Sequence, residues 1–279
     1  MKLHKIEVEA WKLDGGAMFG LVPKTIWNKQ YPADDLNLVN MSTRLMLIET
    51  DDNRKVLVDT GMGRKRGDKY YQYKYIFEDI SLELALANAG FKTEDITDVV
   101  LTHLHDDHVG GAVKMNGTAL ALVFPNAKHW ISKAQFDWAI NPNKREAGTF
   151  FKDNFLPIKE AGKLELVEHD GEFIPGIQFQ IYDGHTKGQM LPLVTVEGKT
   201  FVFMADFIPF VASIPLPYVA SVDVQPLITL EEKEAFLNEA VANNYYLFFE
   251  HDFYNEVCTV EQSFKRVALK QTYKLEELL

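Results

Sequence analysis

The sequence predicts an α+β fold in which a β-sandwich is covered by helices. Three observations predict it. Strand-like apolar runs fall in two sets along the chain, helix-like segments stand between and after them, and several strand-like runs end on a His or an Asp. No repeat period or low-complexity tract divides the 279 residues, so one domain is expected over residues 1–279.

Residues 46–50 and 55–59 read as strands around the turn Asp51-Asp52-Asn53. Residues 81–89 carry helical spacing and stop at Gly90, a good C-cap. The apolar stretch 96–101 is the next strand, and 119–124 is a further apolar run closed by Pro125. Ser132 with Gln135 forms a capping box that opens a helix to about residue 140. The run 141–162 is polar, carries Lys144, Arg145 and Lys152, and reads as an insertion or lid-like loop. Residues 179–182, 193–196, 201–204 and 245–249 read as strands. Thr229 with Glu232 opens a helix to about residue 242, and Thr259 with Gln262 caps a last helix.

A hydrophobic content of 47% and a charged content of 25% are ordinary for a soluble globular chain. The formal net charge of -11 repels nucleic acid and anionic membranes, so neither is expected as a partner. The single cysteine, Cys258, excludes an internal disulfide and a cysteine zinc cage. The first nine residues are too polar for a signal-peptide core, and the apolar stretch 201–217 is broken by Asp206, Pro209, Pro215 and Pro217. A cytoplasmic location is therefore expected.

The run Thr102-His103-Leu104-His105-Asp106-Asp107-His108-Val109-Gly110-Gly111 follows the 96–101 strand directly. Three imidazoles and a carboxylate in one tight turn are donors that hold zinc and similar divalent ions. Asp106 lies outside the fixed positions of the H-x-H-x-D-H pattern and reads as solvated or as a support for a ligand. His185, Asp206 and His251 each follow an apolar run as well. In a layered β fold, strand ends can converge on one edge, which would gather His103, His105, Asp107, His108, His185, Asp206 and His251. Seven ligands suit two divalent ions better than one. Asp59, after residues 55–58, fits the same edge and could orient a ligand histidine through its other ring nitrogen.

At these residues the chain resembles the metallo-β-lactamase fold superfamily, through Asp59-Thr60-Gly61, the 103–111 motif, Gly184-His185-Thr186, Asp206 and His251. The resemblance implies a four-layer αββα sandwich with two metal ions, most simply zinc, between the sheets. It assigns His103, His105 and His185 to one metal and Asp107, His108 and His251 to the other, with Asp206 bridging. The stretch 13–24, Leu-Asp-Gly-Gly-Ala-Met-Phe-Gly-Leu-Val-Pro-Lys, is similar to the opening of the N-acyl homoserine lactonase-like branch. By that analogy Met18 and Phe19 would line an apolar substrate pocket; the alternative is plain core packing. Where the family often continues Gly-His-Thr with Pro-Gly-His, this chain has Lys187-Gly188-Gln189, so Gln189 stands in for a supporting imidazole.

The expected reaction is lactone ring opening of the N-acyl homoserine lactone type by a metal-bound hydroxide. Asp107 and Asp206 would shape its electrostatics, and Tyr218, downstream of Asp206, is the candidate for assisting ring opening. The substrate would be a small molecule with an apolar tail; a homodimer stays open. An esterase or phosphotriesterase would use the same chemistry. A nuclease is a further alternative, since the 64–75 run mixes cations with aromatics, although the overall acidity favours an ordinary solvated face. Iron in the same ligands would support redox chemistry. A vestigial binding protein would be free to lose ligands that this chain keeps.

Overall fold

In β2 (Leu38–Glu49) and β3 (Lys55–Val58) successive side chains point to opposite faces, and both faces are apolar. Met46, Ile48, Val56 and Val58 join one core with Phe201, Phe203 and Leu247 of a second sheet. Leu45, Leu47 and Leu57 join another core with Leu86, Phe136 and Phe155. One face of the sheet is thus covered by strands and the other by helices, which explains near-continuous apolar runs in place of a polar alternation.

The computed structural model describes residues 1–279. Its first sheet has the order β4 (Glu78–Asp79), β1 (Lys2–Asp14), β2, β3, β5 (Asp98–Val100), β8 (Lys128–Ser132) and β9 (Leu164–Val167). The second runs β10 (Gly171–Ile174), β11 (Ile177–Tyr182), β12 (Gln189–Val196), β13 (Lys199–Phe203), β14 (Tyr246–Phe248), β15 (Val257–Ser263) and β16 (Arg266–Tyr273). A small hairpin of β6 (Val113–Asn116) and β7 (Ala119–Leu122) stands apart from both. The helix Pro226–Asn243 sends Phe236, Leu237 and Ala240 into the second sheet's core. These layers form the expected αββα sandwich.

The direction of the strands places the site. β3 and β5 are parallel. β13 and β14 are parallel too, and β11 runs the same way because two antiparallel steps separate it from β13. Asp59, His103, His185, Asp206 and His251 all follow the C-terminal ends of these strands. The two sheets are stitched at that edge by β2, where Ser42 N donates to the His251 carbonyl (3.1 Å) and Arg44 N to the Glu250 carbonyl (3.1 Å).

Three expectations need correction. No helix follows Thr259: residues 257–263 and 266–273 form the edge hairpin β15–β16. The β-branched Val257, Thr259 and Val260 lie on the outermost ladder, and pairing with β14 outweighs the capping pattern. The penultimate helix begins at Pro226, not Thr229, because proline suits the first helical turn. Thr229 sits inside it, and Glu232 instead accepts from the Asp183 and Gly184 amides (2.8 and 2.9 Å). Finally, 141–162 is not a polar lid. It contains the helix Leu156–Glu160 and buries Phe150, Phe155 and Ile158.

Candidate metal centre

Asp59 leaves β3 with a left-handed backbone (φ 59°) and turns its carboxylate into the 102–108 loop. It accepts from Thr102 N (2.7 Å), from the Thr102 hydroxyl (2.6 Å) and from His108 Nδ1 (3.0 Å). One buried carboxylate therefore sets both the exit of β5 and one imidazole of the motif. The closing Gly110-Gly111 has a steric reason. A Cβ on Gly110 would lie 2.0 Å from the Met62 carbonyl oxygen, and one on Gly111 would lie 2.1 Å from that of Thr60. Gly110→Ala must push backbone from backbone, so we expect a loss of about 3 kcal/mol in chemical denaturation, with weakened metal binding through His108. An unchanged unfolding midpoint would contradict this packing.

The imidazoles converge with their outward nitrogens engaged. His251 Nδ1 donates to the Ser42 carbonyl (2.9 Å), His185 Nδ1 to Asp223 (2.9 Å) and His108 Nδ1 to Asp59. His105 Nε2 faces Glu146 (3.3 Å). The Thr102 hydroxyl spends its proton on Asp59, so it accepts from His103 Nδ1 (3.0 Å). A neutral imidazole that donates from one nitrogen offers a lone pair at the other. Those lone pairs meet: His105 Nδ1 and His185 Nε2 are 3.2 Å apart, and His108 Nε2 and His251 Nε2 are 3.1 Å apart. His103 Nε2 is buried without a hydrogen-bond partner. Facing lone pairs require a positive charge between them, and this donor set fits divalent cations.

Asp206 stands between the two sets. It follows Ala205, whose backbone is left-handed (φ 41°). Its Oδ2 lies 3.0 Å from His185 Nε2, 3.5 Å from His108 Nε2 and 3.7 Å from His103 Nε2, while Oδ1 lies 2.9 Å from His251 Nε2. The ligand atoms of His103, His105, His185 and Asp206 lie within 4.8 Å of one another, as do those of Asp107, His108 and His251. Burial pulls the His185 imidazole down, yet Asp206 and Asp223 push it up to about 10; Asp206 likewise lifts His251 to about 9 against burial. The carboxylates thus draw positive charge to this cluster, where protons and metal ions compete for it.

The structure brings all seven candidate ligands to this edge and separates the other candidates. Met18 lines the adjoining cavity of about 340 Å³, beside Trp11, Leu13 and Met41. Phe19 is fully buried, stacked on Trp27 (4.7 Å) and Phe210 (5.6 Å), so packing is its role. Tyr218 lies outside the cavity lining, packed edge-on against Phe19, with its hydroxyl 3.5 Å from Gln30 Nε2. Asp106 is buried rather than solvated and is held by the Tyr70 hydroxyl and by Lys74 Nζ (3.3 Å). Gln189 is buried at the start of β12 with neither side-chain polar atom paired.

Most cations of the 64–75 run are paired or hydrogen-bonded, while Lys69 stays exposed. Arg64 pairs with Asp79 and Glu9, Arg66 with Asp153, and Lys65 donates to the Gly110 and Val113 carbonyls. Lys74 enters the cavity wall over the Trp11 ring (5.2 Å). Residue-by-residue reading missed Asp223, Glu146 and Glu250. Glu250 Oε2 is 3.1 Å from His108 Nδ1, and burial, with Asp59 beside it, pushes its carboxyl up to about 8 against the pull of His108. Position next to His251 is the signal that could have found it.

Two stacked sheets with an imidazole and carboxylate cluster at their common strand ends define the class: a metallo-β-lactamase-type fold. The chain belongs to the metallo-beta-lactamase superfamily, whose family model matches residues 42–251. It is similar to an N-acyl homoserine lactonase of Bacillus cereus, at 28% identity over 60% of this chain and 64% of the relative. A Bacillus thuringiensis N-acyl homoserine lactonase is 24% identical over the same shares. The matched region is thus just under two thirds of the length of these relatives. Among solved structures, a probable metal-dependent hydrolase from Staphylococcus aureus matches 98% of both chains at 29% identity with a TM-score of 0.86. AidC, a dizinc quorum-quenching lactonase, matches 98% of this chain and 95% of its own at 23% identity (TM-score 0.80), a likeness of fold. No helix is long and apolar enough to cross a membrane.

Proposed function

We propose that this protein is a dinuclear metal-dependent hydrolase that opens lactone rings of the N-acyl homoserine lactone type. The observation that carries the reading is the pair of inward-facing imidazole sets joined by Asp206 at the wall of an open, partly apolar cavity. Two divalent cations, zinc in this reading, supply Lewis acidity there and make a water molecule acidic near neutral pH.

The chain's own residues do the rest. His103, His105 and His185 would hold one cation and Asp107, His108 and His251 the other, with Asp206 shared between them. Asp107 and Asp206 both line the cavity. Asp107, held low by Lys74 and His108 against its burial, carries the proton from the attacking water to the leaving alkoxide. Lys74 balances the charge of Asp106 and Asp107 on that wall. Trp11, Leu13, Met18 and Met41 exclude water beside the acyl carbonyl. A second cavity of about 730 Å³, walled by Leu21, Leu216, Val219 and Leu227, adjoins through Arg145 and Ser221 and gives room for an apolar tail. The leaving alkoxide of a lactone stays tethered, which suits a site with no tyrosine in its lining.

The test is a substrate panel on metal-analysed protein: homoserine lactones of varied acyl length, aryl esters and phosphotriesters. We expect kcat/KM for medium or long acyl lactones to exceed that for the aryl esters and phosphotriesters by at least about tenfold, a difference of about 1.4 kcal/mol. Preferred turnover of a phosphotriester would move the assignment to that chemistry.

A further inference from the structure

Every ligand histidine here has an outward partner: three of the five come from a strand or the turn that leaves one, and Asp223 comes from the loop just before the helix Pro226–Asn243. The partner of His105 is different. Glu146 belongs to the run 141–151, beyond the helix Lys133–Ile140, and is buried (4% exposed). Its Oε2 accepts from Trp138 Nε1 (2.6 Å) and from Asn143 Nδ2 (2.6 Å). An indole N–H can donate and nothing else. The Asn143 amide is fixed as well, because its oxygen accepts from the Arg145 and Glu146 backbone amides (2.8 and 3.1 Å), which leaves its nitrogen to donate. The Thr186 hydroxyl accepts from Gln135 Nε2 (3.1 Å), so its proton is free for Glu146. The carboxylate is surrounded by donors, and Oε1 remains for His105 Nε2 (3.3 Å).

We propose that Glu146 is the positioning residue of His105: by accepting the Nε2 proton, it fixes the imidazole tautomer that offers Nδ1 to the cation shared with His103 and His185. This inference rests on the metal reading of the centre. Phe150, from the same run, packs on the His105 ring at 4.9 Å between centroids, so one segment sets both the tilt and the tautomer of the ligand. The same segment places Arg145 and Thr149 in the cavity wall. Residues 141–151 therefore join the metal site to the substrate wall through one carboxylate.

A glutamine cannot replace this group. Its amide has one acceptor end, whereas Glu146 meets donors at both oxygens. If the amide oxygen faces Trp138 and Asn143, its nitrogen faces His105 and donates. The imidazole must then accept at Nε2, which leaves the proton on Nδ1, the atom needed by the metal. A carboxylate behind a ligand histidine is worth about 10–100-fold in metal affinity.

The test is a chelator-competition titration of full-length protein with zinc, and with cobalt for its visible spectrum. Wild type should bind two equivalents. Glu146→Gln should lose about 10–100-fold in affinity for one equivalent and stay within twofold for the other, because His105 lies in one ligand set and not in the other. Trp138→Phe keeps the carboxylate and removes one of its donors; it should lower stability and leave both affinities within twofold. Equal affinities in Glu146→Gln and wild type would overturn the inference, as would losses matched by Trp138→Phe, which a purely structural carboxylate predicts. A readout on wild type removes dependence on folding of a variant: nitrogen-15 NMR of the zinc-loaded protein should show His105 protonated at Nε2, and a proton at Nδ1 would overturn the inference. Wild-type protein that binds no divalent cation would overturn the metal reading first and this inference with it.

Discussion

Asp206→Ala should abolish activity, with kcat/KM falling by at least about 10³-fold, equivalent to about 4 kcal/mol of lost transition-state stabilisation. Its effect should exceed that of any single histidine change. Each histidine offers one nitrogen to one set, whereas Asp206 presents Oδ1 to His251 and Oδ2 to His185, His108 and His103. Removing it leaves the two cation positions facing each other without the shared anion that screens their repulsion. Metal analysis of the purified variant should therefore show fewer than two equivalents, with activity and metal lost together. A fully loaded, inactive Asp206→Ala protein would assign the carboxylate to proton transfer instead. A fully active one would remove it from the centre altogether.

Removal of both cations from the wild type should have the second largest effect, and on stability as well as activity. The five ligand imidazoles and Asp59 are buried where sheet meets sheet, so an emptied centre leaves imidazole nitrogens facing one another at about 3 Å with only protons to replace the cations. A ligand present at a thousandfold excess over its dissociation constant adds about 4 kcal/mol per site to the folded state. In a domain of this length each kcal/mol moves Tm by roughly 2–4 °C. Treatment with a strong chelator should thus lower Tm by on the order of 10 °C or more and eliminate turnover, and added zinc should restore both. An unchanged Tm would mean that the folded state holds no cation at this edge.

The strand ends were legible in the sequence because of one physical regularity. Asp59, His103, His185, Asp206 and His251 each follow an apolar run, and such runs become buried strands whose parallel members end on one side. The helix at 81–89 was legible from its Ser81 cap and its end before Gly90, which the structure repeats as Leu82–Asn88. The partners of the histidines were harder to read. Asp223 and Glu146 lie 38 and 41 residues from the imidazoles they hold, in segments with no period of their own. Ser42 serves through its backbone carbonyl, which any residue type would supply.

The misread elements share a cause. Thr259 and Gln262 satisfy a capping pattern, but the open edge of β14 takes the segment as strand. The run 141–162 looks polar in sequence, yet Phe150, Phe155 and Ile158 are enough to anchor it in the core. The 64–75 run, favoured as an ordinary solvated face, has Arg64, Lys74 and Arg66 paired with Asp79, Asp106 and Asp153. In each case contacts between remote residues decided the outcome, and a local pattern carries no information about them.

Anomalous diffraction at the zinc edge, from crystals grown with zinc, tests the central claim most directly. The account predicts two peaks about 3.5–4 Å apart on either side of Asp206, one among His103, His105 and His185 and the other among Asp107, His108 and His251. A single peak, or peaks remote from Asp206, would contradict it.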